Sequence, residues 1–156
     1  MKNRPTLCLG SDHAGYALKE AVKRHLGELG YEVRDFGATA AVADDDYPDF
    51  VIPAAEAVAN AKGKALGIVF GGSGIGECIA ANKVRGIRAA LIYDEYTASL
   101  CRQHNDANII CLGGRTVTGN PDLANKLVRL WLESAYSGEE RHVRRLKKIE
   151  KYESRD

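Results

Sequence analysis

The order of apolar runs in this chain predicts a three-layer, Rossmann-like α/β fold: a doubly wound sheet of about five parallel strands, followed by a C-terminal helical extension. Three observations predict it. Short, nearly continuous apolar runs alternate with amphipathic stretches from end to end, the pattern of parallel strands covered on both faces by crossover helices. Two of these runs open into glycine-rich turns, at residues 10–15 and 71–76, as expected where a strand's carboxyl end meets a helix start. The 156 residues fit one domain, 1–156, large enough to bury a proper core.

The elements follow in order. Strands are expected at 6–9, 32–36, 65–70, 88–93 and 108–112, where the apolar runs lie. In the first helix Ala14, Leu18, Ala21, Val22, Leu26 and Leu29 mark one stripe, and Gly30 supplies the stop. Pro48 suits the first turn of a helix over 50–61, with Gly63 beyond its end. A short helix follows the second glycine turn at 78–83, and further helices are expected at 95–104 and 122–136. After the Ser137-Gly138 break the tail reads as a charged helix in which Arg141 and Arg145 share a face, while Val143, Leu146 and Ile149 are free to pack. Only the segment 38–49 breaks the rhythm. Its run Asp44-Asp45-Asp46-Tyr47-Pro48-Asp49 reads as a solvated turn whose acids suit the start of the next helix, with Tyr47 the residue that could reach a ligand.

Composition narrows the class. Twenty-two basic and 21 acidic side chains give a net charge of +1, so no global field draws the chain to nucleic acid or membrane. No run approaches membrane-spanning length, and the first residues carry no signal-peptide core, so the expected setting is the cytoplasm. Cys8, Cys78, Cys101 and Cys111 show neither metal-ligand spacing nor a disulfide framework. Cys8 and Cys111 read as small core residues. Cys78 abuts the glycine turn, where packing in the first helical turn is the simplest role.

The densest chemistry lies in Gly71-Gly72-Ser73-Gly74-Ile75-Gly76-Glu77. A strand, a glycine turn and a helix start aim several backbone N–H groups at one point and add the positive end of the helix dipole. A phosphate-cradling loop would continue with Lys and then Ser or Thr; here Glu77 and Cys78 stand instead, so that reading fails. The dinucleotide fingerprint is expected at the first strand–helix turn, but Asp12 replaces its middle glycine, even though Asp35 sits near where a ribose-binding acid belongs. A glutamate beside an anion-stabilising loop makes sense if the loop meets a transient oxyanion and the glutamate moves the proton that creates it.

Asp12 and His13 follow the first strand, at the functional edge of such a sheet, and His104-Asn105 ends a predicted helix. Each has an ordinary structural role, Asp12 as a helix cap and His104 as complement to a helix C-terminus. Together, Asp12, His13, Glu77 and His104 are expected to converge and to suffice for proton transfer next to a carbonyl.

Asp12-His13-Ala14-Gly15, Asp46-Tyr47-Pro48, Gly72-Ser73-Gly74-Ile75-Gly76 with Ala80-Ala81-Asn82-Lys83, Gly86-Ile87-Arg88-Ala89, Arg102-Gln103-His104-Asn105, Gly113-Gly114-Arg115 and Arg141-His142-Val143-Arg144-Arg145 resemble the type B ribose-5-phosphate isomerases, in order, from Leu7 to about Ile149. The resemblance implies metal-free, cofactor-free interconversion of ribose 5-phosphate and ribulose 5-phosphate through a cis-enediolate. It implies Glu77 as the base, in the branch where another branch places a cysteine at the position of Gly71. It further implies His104 for ring opening, and Asp12 for sugar hydroxyls. Asn105 and the segment Gly72, Ser73, Gly74, Ile75 and Gly76, with Ser73 among the catalytic groups, would surround the enediolate oxygens. Arg115, Arg141 and Arg145 would hold the phosphate, helped by His13 or His142. A homodimer with sites shared between subunits is implied, with tetramers in some relatives. The alternatives are an isomerase of allose 6-phosphate or galactose 6-phosphate and a non-catalytic sugar-phosphate or nucleotide-binding module.

Overall fold

The computed structural model describes residues 4–155. Five strands, β1 (Thr6–Ser11), β2 (Val33–Asp35), β3 (Ala65–Gly71), β4 (Ala89–Leu91) and β5 (Ile109–Gly113), form one sheet in the order β2-β1-β3-β5-β4. Every neighbouring pair is parallel. Six α-helices cover it: α1 (Tyr16–Glu28), α2 (Pro48–Asn60), α3 (Ile75–Ala81), α4 (Glu95–Asn105), α5 (Pro121–Glu133) and α6 (Glu140–Glu153). Among the described residues no helix is long and apolar enough to cross a membrane.

The two-residue periodicity of the strands builds two separate cores. Leu7, Leu9, Ile68, Phe70, Ile110 and Leu112 face α1, α4 and α5, where Leu18, Val22, Leu26, Leu127 and Trp131 meet them. Cys8, Val69, Ile109 and Cys111 face the other way, against Val51, Ala55 and Val58 of α2 and Ala80 and Ala81 of α3. Cys8 and Cys111 are therefore core residues, as expected.

The edge strands β2 and β4 are shorter than their apolar runs suggest, at three residues each. The α5 helix ends at Glu133 because Ser134 turns extended (ψ 141°) while its hydroxyl donates to the Leu130 carbonyl. The stops at Gly30 and Gly138 both carry positive φ, at 77° and 65°. A short 3-10 turn, Val117–Gly119, was not expected; Thr116 caps it and Thr118 pins it to Gly113.

Asp35 is spoken for. Its carboxylate accepts from Lys19 Nζ and Lys23 Nζ, both at 2.7 Å, and from the Gly37 amide at 2.9 Å. It neutralises the wholly buried Lys19 and is not placed as a ribose ligand.

The chain reverses its winding between β1 and β3, so the crevice at a topological switch point opens beyond Ser11 and Gly71. Trp131 closes the α5 side of the sheet, fully buried, with its indole N–H donating to the Ala107 carbonyl at 3.2 Å. Trp131→Ala is expected to cost about 3–5 kcal/mol of stability, read as a lowered urea midpoint by far-ultraviolet circular dichroism; a midpoint unchanged from the parent would contradict this packing.

Candidate active site

At the switch point three strand ends meet. The Gly114 amide donates to the Gly71 carbonyl at 2.7 Å and the Arg115 amide to the Gly72 carbonyl at 2.9 Å, locking the β5 turn onto the β3 turn. The β1 turn is shaped by Asp12, whose Oδ1 accepts from the amides of Ala14 and Gly15 at 3.0 and 3.1 Å. Asp12 thus caps the approach to α1, while Gly15 is the helix's own N-cap residue. Its carboxylate is buried at the crevice floor.

The glycine loop does what its spacing suggests. Gly74 takes φ 81°, a left-handed conformation suited to glycine, and so starts α3 early, at Ile75. That puts Glu77 in the first helical turn, not ahead of the helix. Its carboxyl folds back over Gly71, where an added Cβ would lie only 1.8 Å from Glu77 Oε1. Position 71 must be bare for Glu77 to be there. The Ser73 hydroxyl accepts from the Ile75 amide at 3.2 Å, and Tyr47 lies against Gly76, whose added Cβ would meet the phenol carbon Cζ at 2.8 Å. A Cβ on Gly72 would approach the Arg115 side chain at 3.6 Å.

Burial and charge tune these groups. Desolvation raises the Glu77 pKa above the usual carboxylate range, and the nearby Asp12 charge adds to the rise; hydrogen bonds from its own amide and that of Gly74 oppose it. Behind it, the Cys78 thiol is lowered to about 7, chiefly by a hydrogen bond from Cys111. Cys78 also sits 3.4 Å from the Ala89 carbonyl, facing the α3–β4 packing as a half-buried structural thiol.

The segment expected to be a solvated turn contributes a partner that sequence reasoning missed. Asp45 Oδ1 accepts from the His13 amide at 3.0 Å and lies 2.5 Å from His13 Nδ1. The hydrogen bond to Asp45 raises the His13 pKa, opposed by desolvation and by Arg115 and aided by Asp12. Nothing in three consecutive aspartates singles out the middle one; Asp44, at φ 68°, turns the backbone so that Asp45 faces β1. Asp12, His13 and Asp45 place potential ligand atoms within 4.8 Å of one another, but His13 Nδ1 and Asp45 Oδ1 are taken up by each other.

The remaining predicted residues lie elsewhere. His104 and Asn105 end α4, which runs against the strands and delivers the chain to the start of β5. Arg88 Nε donates to the Asn105 carbonyl at 2.9 Å, and the Gly67 amide to the Asn108 carbonyl at 2.8 Å. Since Gly67 pairs with Ile109 and Gly71 with Gly113, Glu77 and His104 occupy opposite edges of the sheet, at least a strand length of about 13 Å apart. The expected convergence of His104 with Asp12, His13 and Glu77 therefore does not occur within one chain. His104 instead stacks on His142, ring centroids 4.1 Å apart. His142 is buried, pairs with the Ser137 hydroxyl at 2.7 Å, and has its pKa lowered by desolvation and then by His104, with smaller effects from Arg141 and Arg145. Arg141 and Arg145 are exposed on α6 beside it, and Arg141 Nε donates to Glu139 at 2.8 Å. Of the apolar tail residues Leu146 is buried and Ile149 exposed.

One chain thus holds the predicted site residues in two groups: a buried carboxyl at an amide-rich helix start with Asp12, His13, Tyr47 and Arg115, and a histidine, an asparagine and two arginines at the far edge. The first is equipment for proton transfer beside a carbonyl. The chain belongs to the ribose/galactose isomerase family, whose sequence profile matches residues 7–149. It is 48% identical over 145 residues to ribose-5-phosphate isomerase B of Mycobacterium tuberculosis, covering 93% of this chain and 88% of that one. It is 43% identical over 145 residues to a probable ribose-5-phosphate isomerase B of Mycoplasma genitalium, covering 93% of each. A crystal structure of the Mycoplasma genitalium enzyme with bound ribulose 5-phosphate superposes with a TM-score of 0.92 at 41% identity, covering 97% of both chains. The Clostridium thermocellum ribose-5-phosphate isomerase B structure superposes with a TM-score of 0.88 at 46% identity, over 95% of this chain and 97% of that one.

A buried carboxyl with a raised pKa makes a stability prediction. The folded state holds the Glu77 proton more tightly than the unfolded chain, so stability falls as pH rises from the ordinary carboxylate pKa through the raised one. Glu77→Gln is expected to raise Tm at pH 7 to 8, with the gain shrinking as pH drops through that window. A variant less stable than the parent at pH 8 would contradict the assignment.

Proposed function

We propose that the chain interconverts ribose 5-phosphate and ribulose 5-phosphate in the cytoplasm, at a site that a second copy of the chain completes. The observation that carries the chemistry is the Glu77 carboxyl lying over Gly71. A cysteine at position 71, as in the other branch of the resembling family, would fill the same space, so the two kinds of base serve one point above the end of β3. The names of the relatives favour the pentose phosphate. The four free cysteines accord with a reducing compartment.

The reaction needs no atom the site lacks. Ring opening, by proton transfer through His104 of the second copy, exposes the C1 aldehyde. Glu77 takes the proton from C2 as the electron pair forms the C1–C2 double bond and O1 gains the charge. Amides of the loop from Gly72 to Gly76, Ser73 and the second copy's Asn105 meet that oxygen. Transfer of the O2 proton to O1 and return of the Glu77 proton to C1 complete the ketose. Burial makes Glu77 a stronger base than an exposed carboxylate, which the C–H proton requires. Asp12 accepts sugar hydroxyls, while Arg115, with His13, and Arg141 and Arg145 from the second copy hold the phosphate. His142, buried against His104, orients that ring and does not face the ligand.

The two-copy site explains how residues at opposite sheet edges serve one reaction. Around the first group, Ile75, Ile79, Tyr93 and Tyr96 are each more than half exposed, apolar surface of the kind a homodimer covers. Pairing of dimers into tetramers remains part of the same proposal.

Ribose 5-phosphate in deuterated water, followed by NMR, tests the chemistry. The parent protein, treated with a chelator, is expected to give ribulose 5-phosphate and solvent deuterium at the exchanging carbon. Glu77→Gln is expected to bind substrate with turnover reduced by at least about 10²-fold. Parent-like turnover in that variant would remove Glu77 as the base. Conversion only of galactose 6-phosphate or allose 6-phosphate would overturn the pentose assignment, and ligand binding without exchange would make the chain a binding module.

A further inference from the structure

The acidic segment before α2 sends one side chain back into the crevice. Asp45 Oδ1 accepts from both the His13 amide and its ring Nδ1. With Nδ1 engaged, the only ring nitrogen left to meet a ligand is Nε2. We propose that Asp45 is a positioning residue for the isomerisation: it fixes the His13 ring with Nε2 toward the sugar phosphate and sets a carboxylate against its Nδ1. The role rests on the sugar-phosphate reading of the site.

Two observations carry it beyond loop anchoring. A bond to the backbone amide alone would anchor the segment, and an uncharged asparagine or serine would serve for that. The second contact, to the ring, is the one that selects a tautomer and favours the imidazolium. The other carboxylate oxygen, Oδ2, is buried and has no hydrogen-bond partner among the described residues. Keeping that oxygen without a partner is costly, and an amide or hydroxyl side chain would avoid the expense of a full charge, so the charge itself is what the position uses.

The surroundings set the sign. Asp12 at the end of β1 and Asp45 from the 38–49 segment favour a charged His13; Arg115, after β5, and desolvation oppose it. Burial works against the Asp45 carboxylate, but the His13 amide and ring outweigh it, and its pKa stays below the usual range. Asp45 therefore remains ionised wherever His13 titrates. The imidazolium is present below the raised His13 pKa and is lost as pH climbs through it. Removing the Asp45 charge moves that loss to lower pH.

The test compares the parent with Asp45→Asn, which keeps an oxygen for the amide, and with Asp45→Glu. The four histidines are assigned in long-range ¹H–¹⁵N spectra with the aid of His13→Gln, and the His13 ring is titrated with and without inorganic phosphate. Because this readout needs no turnover, it stands or falls separately from the isomerase reading. In the parent, His13 is expected to titrate above an ordinary histidine with its Nδ1 proton retained; in Asp45→Asn the titration falls and the neutral ring becomes a mixture of tautomers. In assays with ribose 5-phosphate, Asp45→Asn is expected to raise KM roughly tenfold at a pH between the two proteins' His13 titration midpoints and much less at a pH below both, with kcat little changed. The substrate's own phosphate ionisation is common to both proteins and cancels in the comparison. Asp45→Glu is expected to restore part of the loss. An unmoved His13 titration in a folded Asp45→Asn protein, or a KM change equal at both pH values, would overturn the role and leave Asp45 as a loop anchor.

Discussion

Chain direction in a parallel sheet is the constraint on which the rest depends. Every residue that follows a strand lies at one edge of the sheet, and every residue that precedes a strand lies at the other. Glu77 follows β3 and His104 precedes β5, so no rearrangement of side chains brings them together within one chain. A fold of this kind can unite them only by presenting the late edge of one copy to the early edge of another. The C-terminal helix α6 fits that plan. It carries Arg141 and Arg145 on the His104 side, and His142 and Leu146 tie it to the rest of the chain.

The local chemistry rests on an exchange of volume between two residues. Gly71 gives up its side chain so that a carboxyl from the next helix can lie over the strand end. The carboxyl is buried close to Asp12, an arrangement that lowers stability but makes it a better proton acceptor. Backbone amides compensate without adding a permanent positive charge, which would hold the glutamate ionised but weaken it as a base. Cations are instead kept to the margins, with Arg115 and His13 on one flank and the arginines of α6 at the other edge of the sheet. That division suits a substrate whose phosphate is remote from the carbon that loses its proton.

Much of this was legible in the residues. The alternation of apolar runs gave five parallel strands and the helices between them, because burial on both faces leaves a continuous apolar signature. The glycine loop with Glu77 beyond it pointed to the base proposed above, since few other roles put an acid at an anion-binding turn. The strand edges were harder: β2 and β4 stop short because pairing on one side only fixes fewer residues than their apolar runs contain. The separation of His104 from Glu77 was hidden because spacing along the chain says which element a residue ends, while the sheet order decides which edge that is. Asp45 was invisible for another reason. Its partner is 32 positions away and its neighbours are also aspartates, so only the left-handed turn at Asp44 distinguishes it.

The measurement closest to the central claim is subunit complementation. Glu77→Gln and His104→Ala, each inactive alone, would be mixed under conditions that allow subunits to exchange, and isomerase activity on ribose 5-phosphate followed. If each site takes Glu77 from one copy and His104 from the other, a mixed dimer holds one doubly altered site and one intact site. Random exchange then restores roughly a quarter of the parent activity. A mixture that exchanges subunits, shown by mass spectrometry, yet stays inactive would contradict a site built from two chains.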